Sequence, residues 1–170
     1  MKKFRKLKIG LFLLFLLIVT IPISRPSFWR AALYLNMFDA CGEGNIQWVK
    51  IWLFLGASPD GWSDYKAASG YIYPEFTSHV STVVLKKNSQ LLELLLAKGA
   101  SPNLREGDGT LPLQFAIDDH KADAVRMLLN AGANLNIHVN PGPESALEYA
   151  KYLKFDDLIP VIEPFLKKRE

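Results

Sequence analysis

The sequence predicts an all-α fold, a solenoid of helix–turn–helix repeats preceded by an N-terminal transmembrane helix. Three observations predict it. Two apolar stripes at helical spacing follow one another between residues 108 and 136. The glycine that closes this unit recurs twice earlier in the chain in the same context. A basic start leads into an apolar run at residues 9–23.

The unit at residues 108–136 contains a turn, two short helices and a stop. Asp108 and Gly109 supply turn chemistry, and Pro112 suits the first turn of a helix, where a missing N–H costs little. Gly132 suits a left-handed helix end, because glycine has no Cβ to clash there. The two apolar stripes are Leu113, Ala116 and Ile117, and then Ala122, Val125, Leu128 and Leu129.

The same closing glycine stands at Gly56, Gly99 and Gly132, each followed by alanine and a polar turn. The second and third of these glycines are 33 residues apart, and the first and second are 43 apart. Helices this short are not stable alone in water, so each needs a neighbour over its apolar face. The sequence therefore predicts about four stacked helix pairs, at residues 33–61, 76–104, 109–137 and 143–168, the last a terminal cap.

A turn plus two helices at a period of 33 residues is the ankyrin spacing. The residues also resemble the ankyrin family, whose repeat begins G-x-T-P-L-H-x-A-A and continues V-V-x-L-L-L-x-x-G-A-x. Leu111 and Gln114 stand where that pattern has threonine and histidine, so the resemblance implies weaker polar links between adjacent turns. It covers residues 33–160, roughly the length of four repeats. The matching positions are Gly109, Pro112, Leu113, Ala116, Val125, Leu128, Leu129, Gly132, Ala133 and Asn136.

The net charge of +3 comes from the N-terminal tail and misrepresents the repeat region. Seven lysine or arginine residues and no acidic residue precede Ala31, which leaves 13 basic and 17 acidic residues from there on, a net of −4. The repeat region has no basic stripe of the kind that follows nucleic-acid phosphates. Nucleic-acid binding is therefore not expected.

Residues 1–8 form a basic tail, and residues 9–24 form a predicted transmembrane signal anchor. Basic residues before the apolar run predict a cytoplasmic amino end in the inner membrane and an extracytoplasmic repeat domain at residues 27–170. The anchor helix would span about 24 Å of a hydrocarbon core of about 30 Å, and snorkelling basic residues make up the difference. The alternative is a cleaved signal peptide and secretion to the periplasm, although around residues 23–27 every candidate cleavage site places proline, arginine or a bulky side chain at one of the two positions that need small residues.

The sequence shows no catalytic, cofactor or metal-binding constellation. His79, His120 and His138 fall at unrelated positions of separate repeats, with no zinc-ligand spacing, and no P-loop or nucleophile elbow occurs. The single cysteine, Cys41, takes a small-residue position in the first helix, which predicts a buried structural side chain. We therefore expect a protein that is not an enzyme and that binds no cofactor or metal ion.

The longer spacing between the first two glycines indicates an insertion of about ten residues within the segment 62–76. Tyrosine and tryptophan dominate binding hot spots, because they offer a large rigid surface with a polar tip. The same rings also suit packing against the grooves beside the loop, and both interpretations stay open. The aromatic residues of the insert are Trp62, Tyr65, Tyr71, Tyr73 and Phe76.

The ankyrin resemblance implies a partner-binding surface at the turn tips and at the ends of the first helices. By frame, the helix positions are Gly42, Glu43, Leu85, Lys86, Asp118, Asp119, Tyr152 and Leu153, and the tip positions are Arg105, Asp108 and Thr110. The acidic residues among them would give one negative stripe, which suggests a partner protein with a basic patch. The chain itself is expected to be monomeric.

The last helix pair departs from the repeat pattern. Pro160 and Pro164 fall where its second helix should run, and they predict a helix break near Pro160. Terminal repeats are atypical because one face must meet water, so this pair is interpreted as a C-terminal cap.

The predicted function is that of a membrane-anchored protein-binding module on the extracytoplasmic side. By analogy, a small anchored binder suits an immunity-type protein that neutralises a toxin. The alternatives are an adaptor or stabilising partner of a periplasmic enzyme, and an enzyme in its own right. The missing catalytic constellation disfavours the enzyme.

Overall fold

A computed structural model describes residues 36–60, 78–137, 139 and 142–166. The predicted anchor at residues 9–24, the aromatic insert at 62–76 and His138 lie outside the described residues. Within those residues, no helix combines the length and apolar character that crossing a membrane requires.

The described chain consists of helix pairs, and it contains no strand. The helices are α1 (residues 36–42), α2 (Ile46–Phe54), α3 (His79–Leu85), α4 (Ser89–Ala97), α5 (Pro112–Asp118), α6 (Ala122–Asn130), α7 (Ala146–Tyr152) and α8 (Ile159–Leu166). A 3-10 turn, Asp156–Leu158, leads into α8. The all-α prediction is therefore confirmed for the part of the chain that the structure describes.

Polar side chains start the helices at equivalent positions. Asn45 and Asn88 accept hydrogen bonds from the backbone N–H groups three residues on, at 3.3 and 3.1 Å. Ser78 and Ser145 cap α3 and α7 in the same way. Pro112 occupies the first turn of α5, as predicted, where its missing N–H leaves no bond unmade.

The predicted glycine helix ends are confirmed. Gly56, Gly99 and Gly132 have φ values of 92°, 87° and 88°. In each case the N–H of the following alanine donates to a carbonyl five residues back, at 2.9 to 3.0 Å. This arrangement satisfies the last carbonyl groups of α2, α4 and α6 and turns the chain out of the helix.

The helices form two layers. The first helices α3, α5 and α7 pack side by side, while α6 packs between α4 and α8 in the other layer. Both predicted apolar stripes of the third pair face this core: Leu113 and Leu128 are fully buried. The largest fully buried side chains include Leu91, Leu95, Ile117, Ile137, Leu158 and Ile162.

Neighbouring turns are joined by one hydrogen bond that repeats in frame. The Ser101 N–H donates to the Asp60 carboxylate at 2.6 Å, and the Asn134 N–H donates to the Asn103 amide oxygen at 2.6 Å. The Asn103 amide also donates to the Gly132 carbonyl at 3.0 Å. Because Leu111 and Gln114 depart from the ankyrin pattern, we expected weak polar links between adjacent turns. The residues after each glycine–alanine pair supply such links instead.

The prediction of a helix break near Pro160 is wrong. The chain passes from the 3-10 turn into α8 at Ile159, so that Pro160 lies in the first turn of α8, where proline is tolerated. Pro164 lies inside α8 and cannot donate to the carbonyl four residues back, which belongs to the solvent-exposed Pro160. The helix nevertheless continues to Leu166.

Candidate protein-binding surface

The first helices all end at one edge of the molecule, here called the groove edge. It consists of Gly42, Glu43, Leu85, Lys86, Asp118, Asp119, Tyr152 and Leu153. Directly after it, each chain segment turns through a residue of positive φ: Gly44, Lys87, His120 or Lys154. Because this turn has the same geometry in every pair, the predicted contact positions are presented in the same orientation.

Between the first two pairs, the groove edge borders a cleft of about 400 Å³. Glu43 and Lys86, both predicted contact residues, line it and are exposed. Leu85 is 41% exposed beside them, and Asp39 adds a further carboxylate. The cleft thus combines an apolar surface with charges of both signs.

In the third and fourth pairs, the groove edge is held by polar contacts. The Tyr149 hydroxyl donates a hydrogen bond to the Asp118 carboxylate, and the Lys121 ammonium contacts the Asp119 carboxylate at 2.5 Å. The same ammonium donates to the Val84 carbonyl at 2.5 Å, which ties the second pair to the third. Tyr152 extends beyond these contacts and is 71% exposed.

Positively charged side chains interrupt the predicted negative stripe. Burial raises the pKa of Asp118, and Asp119 raises it further, against the lowering effect of the Tyr149 hydroxyl. Burial and the Asp118 carboxylate together raise the pKa of Tyr149 to about 12. Lys86 and Lys121 add positive charge along the same edge. The edge is therefore mixed in charge rather than uniformly negative.

The predicted tip residues fold the tip itself. The Arg105 guanidinium donates to the Gly109 carbonyl at 2.8 Å, and the Thr110 N–H donates to the Asp108 carboxylate at 2.9 Å. This bond from Thr110 is the main cause of the lowered pKa of Asp108. Arg105 and Asp108 are exposed, so they stay available to a partner while holding the turn.

Glu106 has a structural role that the sequence did not indicate. It is only 7% exposed and accepts hydrogen bonds from the Ser78 N–H at 2.8 Å and from the Ser81 hydroxyl at 2.5 Å. Burial raises the pKa of Glu106 despite these bonds. A glutamate in a turn gives no local signal of burial, because its partners lie 25 and 28 residues away.

The second unpredicted feature is the outer face of α2, formed by Trp48, Ile51, Phe54 and Leu55. These side chains are 50%, 43%, 88% and 54% exposed. Comparing the repeats position by position would have indicated this face, because the position of Phe54 carries Ala97 in α4 and Asn130 in α6. Ankyrin contact positions lie on the first helices, so the resemblance directed attention away from this face.

Two other titratable groups, Cys41 and His120, have structural roles. Cys41 is fully buried, as predicted, and burial raises its thiol pKa to about 12. His120 contacts the Asp157 carboxylate at 2.6 Å and stacks on Phe155 with ring centroids 4.1 Å apart, which joins the third pair to the fourth. Among the described residues, no cluster of three histidine, cysteine or acidic side chains is arranged to hold a metal ion.

The five aromatic residues of the insert lie outside the described residues, so their predicted role in binding stays a prediction. They are Trp62, Tyr65, Tyr71, Tyr73 and Phe76. The structure does describe the residues that flank this segment, Asp60 and Ser78, and both are tied to neighbouring repeats.

Comparison with protein families gives a match over part of the chain. Residues 95–150 match the model of the family described as ankyrin repeats (many copies). The matched segment runs from the end of α4 through the third pair and into α7. No curated protein matches the chain.

Proposed function

Because residues 95–150 match the ankyrin-repeat family, whose repeats form protein–protein interaction modules, we propose that the chain acts by holding another protein on its groove edge. The cleft between the first two pairs carries this proposal. It places Leu85, Lys86 and Glu43 around one exposed depression. Apolar surface flanked by charged groups is the usual composition of a specific protein interface.

The mixed charge of the groove edge shapes the partner we propose. Asp39, Glu43 and Asp119 are exposed carboxylates, and they favour a basic patch on the partner. Lys86 lies among them and favours one acidic group opposite the first cleft. Tyr152 at the far end supplies an exposed aromatic ring, the kind of side chain that dominates binding energy.

We further propose that the module is anchored in the inner membrane by residues 9–24, with the repeats outside the cytoplasm. The five basic residues among the first eight support this orientation. Two partner classes fit such a module: a toxin that it neutralises as an immunity-type protein, and a periplasmic enzyme that it stabilises as an adaptor. The identity of the captured protein separates them. We propose no catalytic activity for the chain.

Photo-crosslinking from defined positions tests the binding proposal. A photoreactive amino acid replaces Leu85 or Tyr152 on the groove edge of the full chain, and a control carries it at the exposed Asn130 on α6. We expect the two groove-edge positions to crosslink to the same protein and the control to give no such product. A product equal in yield at all three positions would contradict the proposal.

Substitutions in the chain then measure how much each contact contributes to capture of the partner protein. Lys86→Glu and Tyr152→Ala should each weaken capture at least tenfold, since loss of a hot-spot contact costs about 1.4 kcal/mol or more. Tyr71→Ala combined with Tyr73→Ala tests the insert in the same assay. Unchanged capture by that double variant would show that the insert is not part of the interface, and it would leave the proposal for the groove edge intact.

A further inference from the structure

The outer face of α2 differs from the equivalent faces of the other second helices. Phe54 is 88% exposed, whereas its frame equivalents are a methyl group at Ala97 and an amide at Asn130. Leu55 corresponds likewise to Lys98 and Ala131. The same position in three repeats thus carries a large apolar side chain only in the first, so the repeat frame does not account for it.

Charge on α2 is as one-sided as its hydrophobicity. The helix and its cap residue Leu55 contain one charged residue, Lys50, and no acidic residue. Trp48 and Ile51 continue the exposed apolar face toward the start of the helix. Tryptophan, phenylalanine and leucine on one face, with lysine at its border, is the composition of a helix that lies in a membrane interface.

The cleft between α2 and α4 extends this face. It has a volume of about 500 Å³ and is lined by apolar side chains that include Leu53, Leu94 and the exposed Phe54. Two exposed lysines, Lys50 and Lys98, border it, and among the residues that the structure describes no acidic side chain lines it. An apolar surface between two cations complements an anionic lipid, whose headgroup can contact the cations while its acyl chain lies along the apolar surface.

The reach of the chain brings this face to the bilayer. Eleven residues separate the end of the proposed anchor at Ser24 from Asn36, and they extend over at most about 40 Å. The first helix pair is therefore tethered within that distance of the membrane, closer than any later pair. This step rests on the anchor in the proposed function.

We propose that the outer face of α2 and the lysine-bordered cleft beside it dock onto the anionic lipid surface of the membrane that holds the anchor. Docking buries the exposed rings of Trp48 and Phe54 in the interface and pairs Lys50 and Lys98 with lipid phosphates. Since α2 belongs to the second-helix layer, the groove edge on the first-helix layer is then left open to a partner protein.

Environment-sensitive labelling of the full chain in vesicles tests this docking. Cys41 is fully buried, so a thiol-reactive fluorophore enters only at an engineered cysteine. Phe54→Cys reports on the proposed contact, and Asn130→Cys, at the equivalent position of α6, is the matched control. Both proteins are reconstituted into phosphatidylcholine vesicles with and without phosphatidylglycerol, and quenching is measured with brominated lipid and with aqueous iodide.

We expect brominated lipid to quench the label at position 54, and iodide to quench the label at position 130. Protection at position 54 should be stronger with phosphatidylglycerol present. Equal iodide access at the two positions would overturn the proposal. Protection at position 54 that survives in detergent micelles and is lost on dilution would also overturn it, because a second copy of the chain would then be the occupant.

Charge reversal tests the lysines separately. Lys50→Glu and Lys98→Glu, each in the Phe54→Cys chain, should lower lipid protection in phosphatidylglycerol vesicles by about fivefold or more per lysine and change it little in phosphatidylcholine. Arg126→Glu, in the same layer and away from the cleft, is the control. Unchanged protection in both lysine variants would overturn the headgroup contact. Extraction at alkaline pH reports on the anchor, and crosslinking at Leu85 reports on partner binding, so failure of either is distinguishable from failure of docking.

Discussion

At the residue scale, two buried ionisable groups are held by opposite means. Cys41 lies in a purely desolvating environment, and its pKa is raised to about 12. Glu106 is desolvated too, but it accepts two hydrogen bonds from Ser78 and Ser81 at the start of α3. The first group is therefore an apolar core side chain, and the second is a polar tie between the second and third helix pairs.

Cys41 should be unreactive in the folded protein. We expect an aromatic disulfide reagent to modify it only after denaturant is added, because the thiolate is the reactive species and burial suppresses it. The free energy of unfolding should also fall as pH rises from the ordinary thiol pKa toward about 12, since the folded state keeps the proton that the unfolded state loses. Cys41→Ala should flatten that decline; rapid modification at neutral pH without denaturant would contradict this account.

Removing the Glu106 carboxylate should destabilise the fold. We expect Glu106→Ala to lower the free energy of unfolding by about 1–3 kcal/mol, because the Ser78 N–H is left buried without its acceptor. Urea titration measures this change, with Glu93→Ala on the exposed side of α4 as the control. Equal stability of the two variants would show that Glu106 does not tie the pairs together.

The raised pKa of Glu106 also predicts a pH dependence. Its contribution to stability is greatest below the ordinary glutamate pKa and declines as pH rises through the folded-state pKa, because the folded protein holds the proton more tightly. Glu106→Gln cannot ionise and should remove this decline. Urea titrations of both proteins across mildly acidic pH test the difference in slope.

At the element scale, the feature that recurs most regularly along the chain is the turn at the end of a helix. The left-handed residue that ends α2, α4 and α6 is glycine, whereas the turn between paired helices uses Gly44, Lys87, His120 and Lys154. The helices themselves are seven to nine residues long from α2 to α8, too short for propensity to decide where they stop. Turn chemistry therefore determines the repeat frame.

Gly132→Ala tests the backbone requirement in isolation. A Cβ at this position would meet no atom within 4 Å, so any loss of stability comes from the φ value of 88°. We expect a loss of about 1–2 kcal/mol, the energy of placing an L-residue in the left-handed region. The matched change Lys87→Gly, where φ is already positive with a side chain present, should not destabilise the protein to that extent. Thermal and urea denaturation of both variants decide the point.

Asn103→Ala tests the repeated link between turns. It removes the acceptor of the Asn134 N–H and the donor to the Gly132 carbonyl, and we expect a loss of about 1–2 kcal/mol for these two exposed bonds. Asn130→Ala, an exposed asparagine at the end of α6, should change stability by less than about 0.5 kcal/mol. Similar losses in the two variants would indicate that the link is dispensable.

At the scale of the whole molecule, the stack is unevenly joined. The α4, α6 and α8 helices pack on one another, whereas a cleft of about 500 Å³ separates α2 from α4. Repeat proteins derive stability from each pair and its contacts with the next. The first pair should therefore open more readily than the pairs that follow.

Hydrogen exchange measures this difference directly. We expect the amide protons of α2 to exchange faster than those of α4 and α6 in the full chain in detergent, since local opening of a weakly packed terminal pair costs less free energy than global unfolding. Vesicles containing phosphatidylglycerol should slow exchange in α2 if its outer face docks there. Uniform protection of α2, α4 and α6 in detergent would contradict the uneven stack.

The sequence by itself determined the repeat frame, the helix ends at Gly56, Gly99 and Gly132, and the buried stripe at Leu113 and Ile117. These are local signals, because left-handed φ values and apolar periodicity are written in neighbouring residues. Only the tertiary structure decided that α8 continues past Pro160, that Glu106 is buried, and that Phe54 is exposed. Those outcomes depend on which groups from other repeats come within contact distance, and the spacing of residues along one segment carries no information about them.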